Sequence, residues 1–126
     1  MSKHEHTISF LSTHNIKYEL SSDGFLTFQY DDVLFLVSEE TDNSNVVCMA
    51  MDCTQYDYLL LCEVCNQLNK ISPMKCRVIS DTNLPICEYH FFPEEFDYEK
   101  YFTVILMSLK STAEAFFAKL LEHERR

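Results

Sequence analysis

Residues 25–40 read FLTFQYDDVLFLVSEE, two runs rich in aromatic and β-branched residues on either side of Asp31-Asp32. Such side chains suit a pleated, half-buried surface, and a two-residue polar break lets the chain fold straight back. The stretch therefore predicts an antiparallel hairpin with strands over 25–30 and 33–38. Both faces of this hairpin carry large apolar residues: Phe25, Leu26, Phe28 and Tyr30, then Val33, Leu34, Phe35, Leu36 and Val37. One face can lie on helices. The other must be covered or left exposed.

Upstream, Ile16, Tyr18 and Leu20 alternate with polar residues before Ser21-Ser22-Asp23-Gly24, which contains the only Gly of the chain at a position suited to positive φ. An extended segment entering a turn is expected there. Ser2-Lys3-His4-Glu5 has the form of a capping box, and Ile8, Phe10, Leu11 and His14 follow at helical spacing, giving a first helix over about 3–14. Downstream, the polar residues 39–45 form a solvated loop and 46–53 read as a strand. On that strand Val47, Met49, Met51 and Cys53 share the core face, with Val46, Cys48, Ala50 and Asp52 on the other.

Thr54 is placed to cap a second helix over about 55–71, on which Tyr58, Leu61, Cys62, Cys65, Leu68 and Asn69 recur at steps of three and four. Residues 75–80 and 85–91 flank Asp81-Thr82-Asn83-Leu84 as a second hairpin, with Cys76 and Val78 facing the same way as Cys87, Tyr89 and Phe91. A third helix spans about 97–123, since Tyr98, Phe102, Ile105, Leu109, Ala113, Phe116 and Leu120 form one stripe with no Gly or Pro inside. The order is α-β-β-β-α-β-β-α, an α+β fold with helices on an antiparallel sheet.

The chain has 126 residues, enough for one domain over 1–126 with a full-sized core. Apolar residues make up 47% and aromatics 13%, too rich for disorder despite a net charge of −10. Twenty acids against ten bases oppose binding to phosphate-bearing nucleic acid or anionic membrane, and Arg125-Arg126 with scattered lysines form no basic patch. The N-terminus MSKHEHTISF lacks the apolar run of a secretory signal, and no segment approaches the roughly 20 apolar residues of a membrane span. A cytoplasmic protein with its six Cys reduced is expected.

The element order, the acidic composition, the aromatic hairpin at 25–40, the central helix at YLLLCEVCNQLNK and the long last helix at YEKYFTVILMSLKSTAEAFF resemble the bacterial sensory-transduction-regulator (YbjN-like) family. They are also similar to the class I type III secretion chaperones, whose fold that family resembles. The resemblance covers about 3–123. It implies a chaperone-like fold and a non-enzymatic binding protein, often dimeric, and it transfers no functional residues. Six Cys is a departure from the pattern.

Among candidate sites, Cys62 and Cys65 share a helix face, a spacing compatible with metal or disulfide chemistry. A redox Cys-x-x-Cys lowers its thiol pKa at a helix N-terminus, whereas these lie mid-helix in line with Tyr58, Leu61 and Leu68, as small core residues. His4-x-His6 reads as an exposed pair pointing to different sides of a helix, and His90 and His123 have no sequence partner. The pairs Asp31-Asp32, Glu39-Glu40 and Glu94-Glu95 fit turns and helix starts, and no calcium-loop spacing, phosphate loop or nucleophile motif is present.

Two hypotheses follow. The first is a non-catalytic binding protein that holds a protein or peptide partner, or a second copy as a homodimer, through Phe25, Phe28, Tyr30, Phe35, Tyr101, Val104 and Met107, with no cofactor, metal, nucleic acid or membrane. The alternative is a small metal- or ligand-binding enzyme using the cysteines.

Overall fold

At the centre of the structure, a computed structural model describing residues 4–124, the 25–40 hairpin pairs Leu26 with Val37, Phe28 with Phe35 and Tyr30 with Val33. Asp31 and Asp32 both take the left-handed conformation, with φ of 52° and 63°. This is the tight primed turn whose twist matches that of paired strands.

The elements run α1 (Glu5–Thr13), β1 (Tyr18–Leu20), β2 (Leu26–Tyr30), β3 (Val33–Glu39), β4 (Asn45–Ala50), α2 (Tyr58–Asn69), β5 (Lys75–Ile79), β6 (Leu84–Phe91) and α3 (Tyr98–Glu124). The strands form an antiparallel sheet of order β1-β2-β3-β4-β6-β5. The crossover through α2 carries the chain from β4 to the far edge, and β6 returns to pair with β4.

Three local readings are corrected. Residues 18–20 are an edge strand rather than an unpaired lead-in, so four strands precede α2. Their alternation is legible in the sequence but their pairing is not; the pairing is secured by the turn, where Ser21 N–H donates to the Phe25 carbonyl at 2.8 Å. The second helix begins at Tyr58, with Asp57 at the N-cap position but making no side-chain cap hydrogen bond, a turn later than Thr54 would place it. Asn83, from the β5–β6 turn, donates its amide to the carbonyls of Thr54 (3.0 Å) and Tyr56 (2.7 Å), holding that stretch as a turn. The strand over 46–53 ends at Ala50, although Met51 and Cys53 remain buried. The proposed capping box falls on Ser2 and Lys3, outside the described residues.

At its far end α1 stops as its sequence suggests. Asn15 takes a φ of 58° and Ile16 N–H reaches back to the Leu11 carbonyl at 2.8 Å, satisfying an orphan acceptor of the last turn.

All three helices pack on one face of the sheet. Leu26, Phe28, Phe35, Val37, Val47, Cys76, Cys87 and Phe91 from the strands join Phe10 and Leu11 of α1, Leu61, Val64, Cys65 and Leu68 of α2, and the stripe of α3 in one core. Phe102 on α3 is its hub, fully buried and in ring contact with Phe10 (5.1 Å), Tyr98 (5.2 Å), Phe28 (6.0 Å) and Phe91 (6.3 Å). Leu106 is fully buried, while Ile105, placed on the stripe by spacing, is half-buried at its margin.

Phe102→Ala should cost about 3–5 kcal/mol, because it removes one ring from a cluster that cannot collapse around the void. Urea unfolding would show this as a lowered midpoint. Asp32→Gly should raise the midpoint by the equivalent of about 0.5–1 kcal/mol, by relieving a side chain in the left-handed region, and Asp32→Val should lower it.

Candidate functional site

Alternation along the strands puts opposite residue sets on opposite sides of the sheet. With Phe35 and Val37 under the helices, Leu34, Leu36 and Ser38 of β3 face outward, as do Thr27 of β2, Val46, Cys48 and Ala50 of β4, Ile86 and Glu88 of β6, and Arg77 and Ile79 of β5. On this face Val46, Ile86 and Glu88 are nonetheless buried, while Leu34 stays 59% exposed. The resulting trough has a volume of about 440 Å³ and is lined mainly by aliphatic side chains, with Phe25 at its rim. Its floor carries one ion pair, in which Arg77 Nε donates to Glu88 Oε1 at 3.0 Å.

A second apolar surface lies on the helix side. Tyr101, Val104 and Met107 of α3 are 46%, 56% and 40% exposed. Val104 and Met107 line a shallow groove of about 590 Å³ with Tyr30, Leu68, Ile71 and Pro73. The first half of α3 carries apolar residues nearly all round, Tyr101, Phe102, Val104, Ile105, Leu106 and Met107, and part of that surface is left bare.

These placements divide the seven residues proposed for partner binding. Phe25 lies on the trough, Tyr30, Val104 and Met107 on the groove, and Tyr101 beside them. Phe28 and Phe35 belong to neither surface: they are 2% and 1% exposed and stack on each other at 5.7 Å beneath α3. Sequence reasoning missed Ile71, Arg77, Ile79, Leu84, Glu88 and Ile86. The alternation of β5 and β6 was visible, but which side faced outward was not.

His4 also departs from expectation. Rather than an exposed member of a pair, it is 1% exposed, with Nε2 2.7 Å from the Gly24 carbonyl and 3.4 Å from Glu39 Oε1. It ties the start of α1 to the β1–β2 turn. His14 meets the Glu99 carboxylate at 2.9 Å on the surface, and His90 is exposed on β6.

All six thiols are free. Cys65, Cys53, Cys76 and Cys87 are buried, and Cys62 and Cys48 are half-buried. Burial pushes the thiols of Cys48, Cys53 and Cys76 up to about 11 and that of Cys65 to about 12, and it raises Cys87 further. At Cys48 the neighbouring Glu88 carboxylate adds to the effect. Thiols held protonated in this way are poor nucleophiles and poor ligands. Among the described residues, no three His, Cys, Asp or Glu side chains converge to hold a metal ion, and no helix is long and apolar enough to cross a membrane.

With this geometry in view, comparison with known proteins is informative at the level of fold. In fold, the chain is similar to a type III secretion chaperone. The crystal structure of Yersinia pestis SycH, in complex with a stable fragment of YscM2, superimposes with a TM-score of 0.66 over 90% of this chain and 98% of that one, at 14% identity. An uncharacterized protein from Methanothermobacter thermautotrophicus superimposes with a TM-score of 0.65 over 96% and 98% of the two chains, at 8% identity. No family model matches the sequence. No curated protein matches it either.

The raised thiol pKa values make stability fall in alkali. In the unfolded chain these thiols ionise near pH 8.5, whereas the folded protein keeps them protonated to about 11 or above. The stabilisation is thus fully present below about pH 8 and is lost as pH rises through the folded values, by up to about 1.4 kcal/mol per pH unit for each thiol. Urea midpoints measured at pH 8 and pH 10 should show the decline.

Proposed function

We propose that the chain is a non-catalytic, cytoplasmic binding protein of the chaperone-like or sensory-transduction-regulator-like type, one domain over its whole length, that holds a polypeptide segment on its uncovered apolar surfaces. The observation that carries this reading is the one-sided packing of the sheet. Three helices seal one face, and the other retains Leu34, Leu36, Phe25 and their neighbours in an open trough. Apolar area left outside the core is stabilised when a partner excludes water from it, and a trough over a sheet fits an extended or helical segment. Tyr101, Val104, Met107 and Tyr30 extend the contact surface onto the helix side. The SycH structure, which has this fold, holds a fragment of another protein, YscM2.

Association with a second copy uses the same chemistry but brings two chains of charge −10 together. Repulsion between like charges weakens with salt, so a homodimer should form more readily at high ionic strength. The enzyme alternative has less support, because burial raises the thiol pKa values of Cys65 and Cys87 and, among the described residues, no three His, Cys, Asp or Glu side chains converge to hold a metal ion.

Size-exclusion chromatography with light scattering, together with affinity capture from the native host, tests the proposal. A stoichiometric complex or a homodimer is expected, weakened about tenfold by Leu34→Asp or Val104→Asp without loss of melting temperature. A monomer that forms no saturable complex would sink it.

A further inference from the structure

Within the trough the Arg77–Glu88 pair is arranged asymmetrically. Glu88 on β6 is 5% exposed, whereas Arg77 on the edge strand β5 is 52% exposed and lines the cavity beside Leu34, Leu36, Ile79, Leu84 and Ile86. A guanidinium offers five N–H donors in a planar fork. Glu88 occupies Nε, and among the described residues no acceptor takes the N–H groups of Nη1 and Nη2. The buried carboxylate therefore fixes one side of the fork and leaves its end free, in a geometry suited to a second planar anion. Lys75, directly across from Glu88 in the register, lies on the same face of the sheet. Glu40 also lines the trough of this acidic protein.

We infer that this trough binds a free amphiphilic monocarboxylate, a fatty-acid-like molecule, with its head group on the end of Arg77 and its tail along the aliphatic floor. The volume of about 440 Å³ falls within the usual range for small-molecule sites, and the pattern of an apolar lining with one convergent polar anchor is the usual one. Charge decides the head group. A cationic amphiphile would meet the guanidinium of Arg77, with Glu88 too enclosed to receive it, and a neutral one would leave the guanidinium end unpaired beneath it. The net charge of −10 repels an anion at long range, so affinity must come from the desolvated contact, and moderate salt should not abolish binding. This inference concerns a different class of ligand from the polypeptide reading. It is tested on the purified chain alone, so either can fail without the other.

Isothermal titration of the full chain with decanoate, decanol and decyltrimethylammonium, all below their micelle-forming concentrations, provides the test. Saturable single-site binding of decanoate is expected, with the other two at least about tenfold weaker. Arg77→Gln should weaken decanoate binding by about tenfold to a hundredfold, the range for a lost charged hydrogen bond. Arg77→Lys keeps the charge but loses the fork, and should also weaken binding, which preserves the test should the Gln variant fail to fold. Leu59→Ser, which removes an exposed apolar residue on α2, should leave it unchanged. The inference is overturned by an absence of saturable decanoate binding, by equal binding of the ammonium amphiphile, or by a folded Arg77 variant that binds decanoate like the parent.

Discussion

Burial of α3 against one face of the sheet is the interaction on which the rest of the structure depends. Its stripe, Phe102, Leu106, Leu109, Ala113, Phe116 and Leu120, lies at 0–3% exposure within the same core as the inward strand residues. Without it, Phe28, Phe35 and Phe91 would face water together, and α1 would lose the ring contacts that seat Phe10. The other two helices fill the flanks. Cys53, Cys65, Cys76 and Cys87 pack in the core as small apolar residues, which accounts for their presence without invoking any chemistry of sulfur.

The same packing creates the functional asymmetry. A sheet whose strands are apolar on both sides can be sealed on only one by helices that all follow short connections to the same side. Here β3 shows the conflict most plainly, with Phe35 and Val37 inward and Leu34 and Leu36 outward. Val46 and Ile86 of the outer face are nonetheless buried, while Leu34 is left exposed. The molecule thus presents apolar area on the uncovered face of its sheet, with the Arg77–Glu88 ion pair set among it.

Local periodicity was enough to read most elements. The stripe of α3 runs through many turns without interruption, and Asp31-Asp32 announces a reversal within two residues, so neither depends on distant parts of the chain. Where a distant group intervenes, the reading failed. The start of α2 is set by Asn83, which lies 29 and 27 positions from the two carbonyls it holds. β1 exists only because β2 pairs with it, and His4 is buried because the β1–β2 turn and Glu39 close around it.

The sequence by itself determined the α+β class, the hairpins, the long last helix and the surplus of apolar residues over what one core needs. These follow from spacing along the chain, which local backbone geometry converts directly into faces. Only the tertiary structure decided which face of the sheet the helices would seal, and hence that Phe28 and Phe35 are core while Leu34, Leu36 and Ile86 line a trough with Arg77 and Glu88. Alternation assigns residues to two sides but carries no label for inside. That label comes from where α3 docks, and docking is settled by the packing of the whole chain.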